Sequence, residues 1–458
     1  MFPDRHPGIA LIDSQGSISY RELSAAVTAR AAELTAAGLR PGDRALLCRP
    51  NGRQWVVDYL ALAELGAVSV PLNAASAPDE IRHVLDDSGA ACALAADPLP
   101  VARDGPSRTT AADPSETEAK TETEAENEIA TIAYTSGTTG RPKGALQSRR
   151  AVRLGGENIA ERLELGPEDT VLSPLPLAHT FGANVLNAAL SAGAAVVILT
   201  RFSEEAVAEA LRRHRPTVLA GVPTMYRRLL ARPEAELPLG PVRCSLSAGQ
   251  PAGRRLAVQW QERSGAVFAE GWGMTELAGL ASLTPAADAG HPGTSGPAVP
   301  GTAVRTGEDG ELLVSGPMVT PGYLNAPEAT ARARTPGGAL RTGDVGRVDG
   351  DGEVTVVDRL KDVILCGGYS VYPAEVERVI AAHPAVAAVA VTAMPDAVRG
   401  EAPRAWIAAV PGTCPDGDAI IAHCRGLLAP YKIPRRTTFL PELPTTTSGK
   451  VARARLQD

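Results

Sequence analysis

Residues 131–144 read Thr-Ile-Ala-Tyr-Thr-Ser-Gly-Thr-Thr-Gly-Arg-Pro-Lys-Gly, a short apolar run that breaks into hydroxyls and glycines and ends beside one lysine. No other stretch constrains the fold as much, because such a loop has to leave a buried strand and turn its donors toward an anion. The apolar positions 131–134 predict the strand. Thr135, Ser136, Thr138 and Thr139 offer hydroxyl donors, while Gly137, Gly140 and Gly144 let backbone N–H groups approach closely. Lys143 adds a compact positive charge. In a Walker loop a glycine directly precedes the lysine and Ser or Thr follows it, whereas here Pro142 precedes and Gly144 follows. A P-loop kinase or GTPase is therefore disfavoured. A Gly/Ser/Thr cluster is ordinarily a solvated turn, but the unbroken run of hydroxyls, glycines and cation argues for a phosphate grip.

The anion has to be held by such local groups, because the chain carries a net charge of -7 and shows no basic stripe. Nucleic acid is accordingly not an expected partner. At 458 residues and 44% hydrophobic the chain exceeds the size at which single cores stop growing, about 250 to 300 residues, so more than one domain is expected. The six cysteines are scattered without metal-ligand or disulfide spacing, which fits reduced cytoplasmic thiols. The N-terminus lacks signal-peptide regions, and the most apolar run, 185–199, is too short to span a membrane. No integral membrane contact is expected, and the expected location is the cytoplasm. Only five of the 45 basic residues are lysines, so Lys143, Lys361 and Lys450 stand out singly.

Residues 8–96 alternate apolar strands with amphipathic helices, the pattern of a helix-covered parallel sheet. Ser19 and Glu22 form a capping box for a helix that Gly38 ends, and Gly66 ends the helix over 54–65. The Pro-, Thr-, Glu- and Ala-rich stretch 97–128 has too few apolar positions to pack and reads as a mobile linker. A second alternating block covers 194–247 and leads to Ala248-Gly-Gln-Pro251 and Glu270-Gly-Trp-Gly-Met-Thr-Glu276. Short strands among Gly and Pro after residue 285 predict a β-rich subdomain. Pro321-Gly-Tyr-Leu-Asn325, Arg341-Thr-Gly-Asp-Val-Gly346 and a Thr/Ser/Gly loop ending at Lys450 complete the series.

These ordered runs resemble the adenylate-forming (ANL) superfamily, in particular its acyl-CoA synthetases and fatty acyl-CoA ligases, over nearly the whole chain. The resemblance implies an α/β fold: a large N-terminal domain, 1–358, of two α/β sheet subdomains plus a β-rich subdomain, hinged to a small C-terminal α+β domain, 359–458. It also implies ATP, Mg2+ and CoA. The nucleotide set it suggests is Thr135, Ser136, Gly137, Thr138, Thr139, Lys143, Gly249, Gln250, Gly271, Trp272, Gly273, Met274, Asp344, Arg359, Lys361 and Gly367. Within it Trp272 stacks on adenine, Asp344 and Arg359 reach the ribose, Lys361 marks the hinge, and Gly367 with Gly368 lines the pantetheine path. The residues tied to the reaction itself are Lys450, Glu276 as the metal ligand, Thr275 on the α-phosphate, and His179 as a wall at the carboxylate end of the acyl pocket. Trp272 and Gln250 depart from the family's usual Tyr or Phe and small residue, and both bear on which acid is taken.

The reaction implied is attack of a carboxylate on the α-phosphate of ATP, giving an acyl-adenylate that a thiol then captures. CoA is the favoured acceptor, and a fatty or aryl acid stays open. A carrier protein as acceptor, a diazotase-type relative that activates nitrite for an aryl amine, and a non-enzymatic nucleotide binder remain the alternatives. Intact Lys143, Glu276, Asp344 and Lys450 argue against the last.

Overall fold

Ile129–Thr135, with its continuous buried centre, and Lys143–Ser148 form an antiparallel pair in which Thr135 stands opposite Lys143, so both ends of the glycine-rich loop are fixed by a sheet. The computed structural model describes residues 6–96, 122–135, 142–288, 291–366, 369–413, 415–425, 427–445 and 451–456. They fall into two units. One holds Met1–Val304 and Val314–Leu340, the other Arg305–Leu313 and Arg341–Asp458.

The first unit contains two α/β sheets. The hairpin is the edge of a five-stranded sheet that continues through Val68–Pro71 and Arg44–Cys48 to Cys92–Ala95. An eight-stranded sheet runs through Gly279–Leu283, Val267–Met274, Cys244–Ala248, Val218–Gly221, Thr170–Ser173, Ala195–Ile198, Ile9–Asp13 and Gly16–Ser19. Its interior strands are parallel and almost wholly buried, as helix cover on both faces requires. Helices Arg149–Arg162 and Thr180–Ala192 pack closely because the first carries Gly155 and Gly156 at the contact. A Cβ on Gly156 would stand 2.9 Å from the Cβ of Asn187.

Local signals set the helix ends. Ser19 accepts from the Glu22 N–H while the Glu22 carboxylate accepts from Ser19, so the expected capping box opens Tyr20–Ala36. Gly66, at φ 81°, closes Arg53–Leu65. The linker expectation needs correction at its end. Residues 97–121 lie outside the described residues, but Glu122–Asn127 is a helix, not a mobile tether. Its Glu126 pairs with Arg153 at 2.6 Å, a tertiary contact that offsets the lack of apolar positions.

In the second unit the strands Ile364–Cys366, Tyr369–Val371, Val386–Asp396, Gly400–Ala409 and Arg436–Leu440 make a five-stranded sheet. Helices Pro373–Ala381 and Gly417–Arg425 accompany it, and Val376, Ile380, Ile420 and Cys424 share its core. The small sheet of Ala303–Thr306, Glu311–Ser315, Leu340–Val348 and Val354–Arg359 supplies the β-rich element. The expected class, two α/β sheets with a β-rich part and a C-terminal α+β part, is the one observed.

Candidate active site

In the first unit three chain segments meet around Glu276. The hairpin's return strand carries Lys143 and Gln147, the turn Thr275–Leu277 carries Glu276, and residues 320–325 lie along the return strand. Leu146 donates to the Gly322 carbonyl at 3.0 Å and Leu324 to the Gly144 carbonyl at 2.8 Å. Tyr323 is thereby fixed with its ring 5.7 Å below the Lys143 Nζ, and its hydroxyl donates to Glu276 Oε1 at 2.7 Å. Burial, with the Glu276 carboxylate adjacent, pushes the Tyr323 phenol up, so it stays a donor. The turn itself is held through its backbone. Gln147 Nε2 donates to the Thr275 carbonyl at 2.8 Å, and the Thr320 N–H donates to the Glu276 carbonyl at 2.7 Å.

Glu276 is only 7% exposed, and among the described residues no cation pairs with it. A buried carboxylate without a charge partner suits an incoming hard cation, and magnesium typically binds through one or two carboxylates together with substrate phosphates. These residues therefore fit a magnesium ion. Thr275 is half-buried beside it.

Strand Val267–Met274 positions Gly271, Trp272, Gly273 and Met274. Trp272 is 8% exposed, so the strand presents it as part of the interior. The glycines are required by packing: a Cβ on Gly273 would stand 2.1 Å from the Gly279 carbonyl oxygen, and one on Gly271 2.6 Å from Leu280 Cδ1. Gly249 sits at φ 87° directly after strand Cys244–Ala248, which turns half-buried Gln250 out of the sheet. Glu270 Oε1 accepts from the Ala252 N–H at 2.8 Å and ties this turn to the Trp272 strand. Among the described residues its buried Oε2 has no hydrogen-bond partner, and burial pushes the carboxyl up to about 7.

His179 caps helix Thr180–Ala192, its Nδ1 accepting from the Phe181 N–H at 3.4 Å. It also lines a pocket with Trp55, Tyr59, Gln147 and Asn187. Asn184 lines the same pocket, and its amide donates to the Ala278 carbonyl at 2.8 Å. That carbonyl belongs to a residue in the left-handed region, φ 49°, and needs the donor.

In the second unit Asp344 and Arg359 lie opposite each other in register, joined by a 2.6 Å contact from Arg359 Nε to Asp344 Oδ1. Lys361 sits in the single turn Leu360–Asp362, and partial burial pulls its ammonium below the usual range. Next to it Asp358 accepts from the Ala374 and Arg359 N–H groups, and burial pushes its carboxyl up to about 6. Arg453 reaches both Glu377, at 2.7 Å, and Asp362, at 3.1 Å.

Ser136, Gly137, Thr138, Thr139, Gly367 and Lys450 lie outside the described residues. Thr135 lies at the loop's first stem, its hydroxyl 3.5 Å from the Lys143 carbonyl. Gln147 and Tyr323 were not singled out from the sequence. The Pro321-Gly-Tyr-Leu-Asn325 run was the available signal for Tyr323, whereas Gln147 gives none.

Residues 3–324 match the AMP-binding enzyme family, and residues 375–450 match the AMP-binding enzyme C-terminal domain. The chain is an AMP-binding enzyme. A feruloyl-CoA synthase of Amycolatopsis is 37% identical over 99% of this chain and 94% of its own length. Among solved structures, ATP-bound MatB from Rhodopseudomonas palustris aligns with a TM-score of 0.88 at 31% identity, covering 99% of this chain and 96% of that one. The o-succinylbenzoate CoA synthetase of Bacillus subtilis, in complex with its acyl-adenylate, aligns at 0.84 and 30% identity, covering 100% and 96%. This AMP-binding enzyme is an adenylate-forming carboxylic acid:CoA ligase that uses ATP, Mg2+ and CoA and proceeds through an acyl-AMP. Among the described residues no helix is long and apolar enough to cross a membrane.

Proposed function

We propose that this ligase activates a ring-bearing carboxylic acid rather than a plain alkanoate and transfers it to CoA in the cytoplasm. The observation that carries the reading is full-length likeness to a feruloyl-CoA synthase, supported by likeness to a synthetase for another aryl acid. Gln250, at the turn after strand Cys244–Ala248, is the polar side chain we assign to discrimination among acids. Gln250→Ala should shift preference toward plain alkanoates.

The 135–144 loop with Lys143 grips the β- and γ-phosphates, Thr275 contacts the α-phosphate, and Glu276 would hold magnesium. Magnesium, when bound, neutralises phosphate charge as pyrophosphate leaves. Gly249, Gln250 and Gly271–Met274 contact the adenine end, with Trp272 stacking on the base, and Asp344 with Arg359 takes the ribose. His179 lines the carboxylate end of the acyl pocket. Lys450 offsets the charge that gathers on the attacking carboxylate and α-phosphate. Lys361 is the turning point between 1–358 and 359–458, and Gly367 lines the pantetheine path.

The deciding experiment incubates the enzyme with magnesium ATP and a panel of aryl, amino-aryl and fatty acids, adding CoA, a phosphopantetheinylated carrier protein or nitrite, and reads products by mass spectrometry. An aroyl-CoA or cinnamoyl-type CoA is expected. Preferential formation of alkanoyl-CoA would overturn the acid class. Acyl transfer only to the carrier protein, or a nitrite-dependent diazo product, would overturn the acceptor or the acid, respectively.

A further inference from the structure

Two groups assigned to opposite tasks, a cation for phosphate and an anion for metal, share one neighbour. The segment 320–325 is bonded on one side to the strand carrying Lys143, through Leu146 to Gly322 and Leu324 to Gly144. On the other side Thr320 donates to the Glu276 carbonyl at 2.7 Å, while its hydroxyl donates to the Leu146 carbonyl. Tyr323 sits between these attachments and touches both side chains.

We infer that Tyr323 is a positioning residue that sets Glu276 and Lys143 together for the magnesium-bearing phosphate end of ATP. The inference rests on the proposed assignment of Glu276 to magnesium and Lys143 to phosphate. The two contacts use different parts of the ring. Its hydroxyl, 2.7 Å from Glu276 Oε1, takes one lone pair and fixes the carboxylate plane, so that the remaining lone pairs would be held in place for a cation. Its face, 5.7 Å from Lys143 Nζ, steadies the ammonium without neutralising it. Carboxylates that bind metal are commonly oriented by such an outer hydrogen bond, and losing it typically weakens metal affinity about 10- to 100-fold. Phenylalanine at this position keeps the face and loses the hydroxyl; leucine loses both. The two functions can therefore be separated.

The test is ATP binding by the full-length enzyme without acid, measured by calorimetry in magnesium and again in EDTA. Tyr323→Phe should weaken magnesium ATP binding about tenfold and leave ATP binding in EDTA unchanged. Tyr323→Leu should weaken binding in both buffers. Glu276→Gln should behave like Tyr323→Phe, and the double variant should be no worse than Glu276→Gln alone. Wild-type affinity for magnesium ATP in Tyr323→Phe, alongside a weakened Glu276→Gln, overturns the inference, as does equal weakening in both buffers. Unchanged magnesium ATP binding in Glu276→Gln overturns the metal assignment instead. Intact ATP binding in EDTA reports that the variant is folded.

Discussion

Asp344 and Arg359 face each other across two antiparallel strands, with Arg359 Nε 2.6 Å from Asp344 Oδ1. The guanidinium fixes the carboxylate plane, so the proposed contact with the ribose diol would need little further ordering. Asp344→Asn should lower kcat/KM for ATP about 10- to 100-fold, the range of a hydrogen bond to a charged acceptor. It should change the same parameter for 2′,3′-dideoxy-ATP little. Equal losses with both nucleotides would show that Asp344 serves structure alone.

Glu270 gives a pH dependence of known sign. Its folded-state value, about 7, lies above the ordinary 4.5, so the native chain binds the extra proton between these values. The stability present below that window is lost as pH rises through about 7. Glu270→Gln can keep the acceptor for Ala252 and carries no charge at any pH. Wild-type melting should fall relative to this variant between about pH 5 and 8, by up to about 3 kcal/mol. Parallel melting curves across that range would remove the assignment.

Arg453 bridges Asp362, in the turn that bears Lys361, and Glu377, in helix Pro373–Ala381. Arg453→Ala leaves Glu377 without its 2.7 Å cation. A loss of about 1–3 kcal/mol in urea unfolding is expected. Arg453→Lys should recover only part, because one ammonium does not reproduce the two-pronged geometry. Full recovery would mean that charge alone matters there.

Lys450→Ala should reduce acid-dependent pyrophosphate exchange on the order of a hundredfold or more, as loss of a preorganised charge donor does. Thioester formation from supplied acyl-adenylate should fall much less. An unchanged exchange rate would end the role assigned to this lysine.

What could be read from the sequence was governed by proximity along the chain. The Ser19–Glu22 box and the Gly66 stop involve neighbours, so residue identity alone reveals them. The strand before the phosphate loop was equally legible, because its apolar run is continuous. The Tyr323–Glu276 bond joins residues 47 apart, and the Gln147–Thr275 bond residues 128 apart, so neither has a local pattern. Helix Glu122–Asn127 was hidden for the same reason: its support is Arg153, far along the chain. Gly271 and Gly273 were recognised, but the demand on them comes from the adjacent strand residues Gly279 and Leu280.

The chain passes between its two units three times, since Arg305–Leu313 belongs with the residues after 341 while Val314–Leu340 belongs with those before 304. Cutting a gene at residue 341 would therefore not isolate the second unit. Such a fragment would lack Glu311, whose carboxylate pairs with Arg341 at 2.8 Å and accepts the Gly343 N–H, and Leu312, whose carbonyl receives the Thr342 hydroxyl. It would begin with an unpaired strand edge, an invitation to aggregate. Recombination between relatives should accordingly tolerate crossovers after Arg359 better than crossovers between 305 and 341, because the latter separate strands of one sheet.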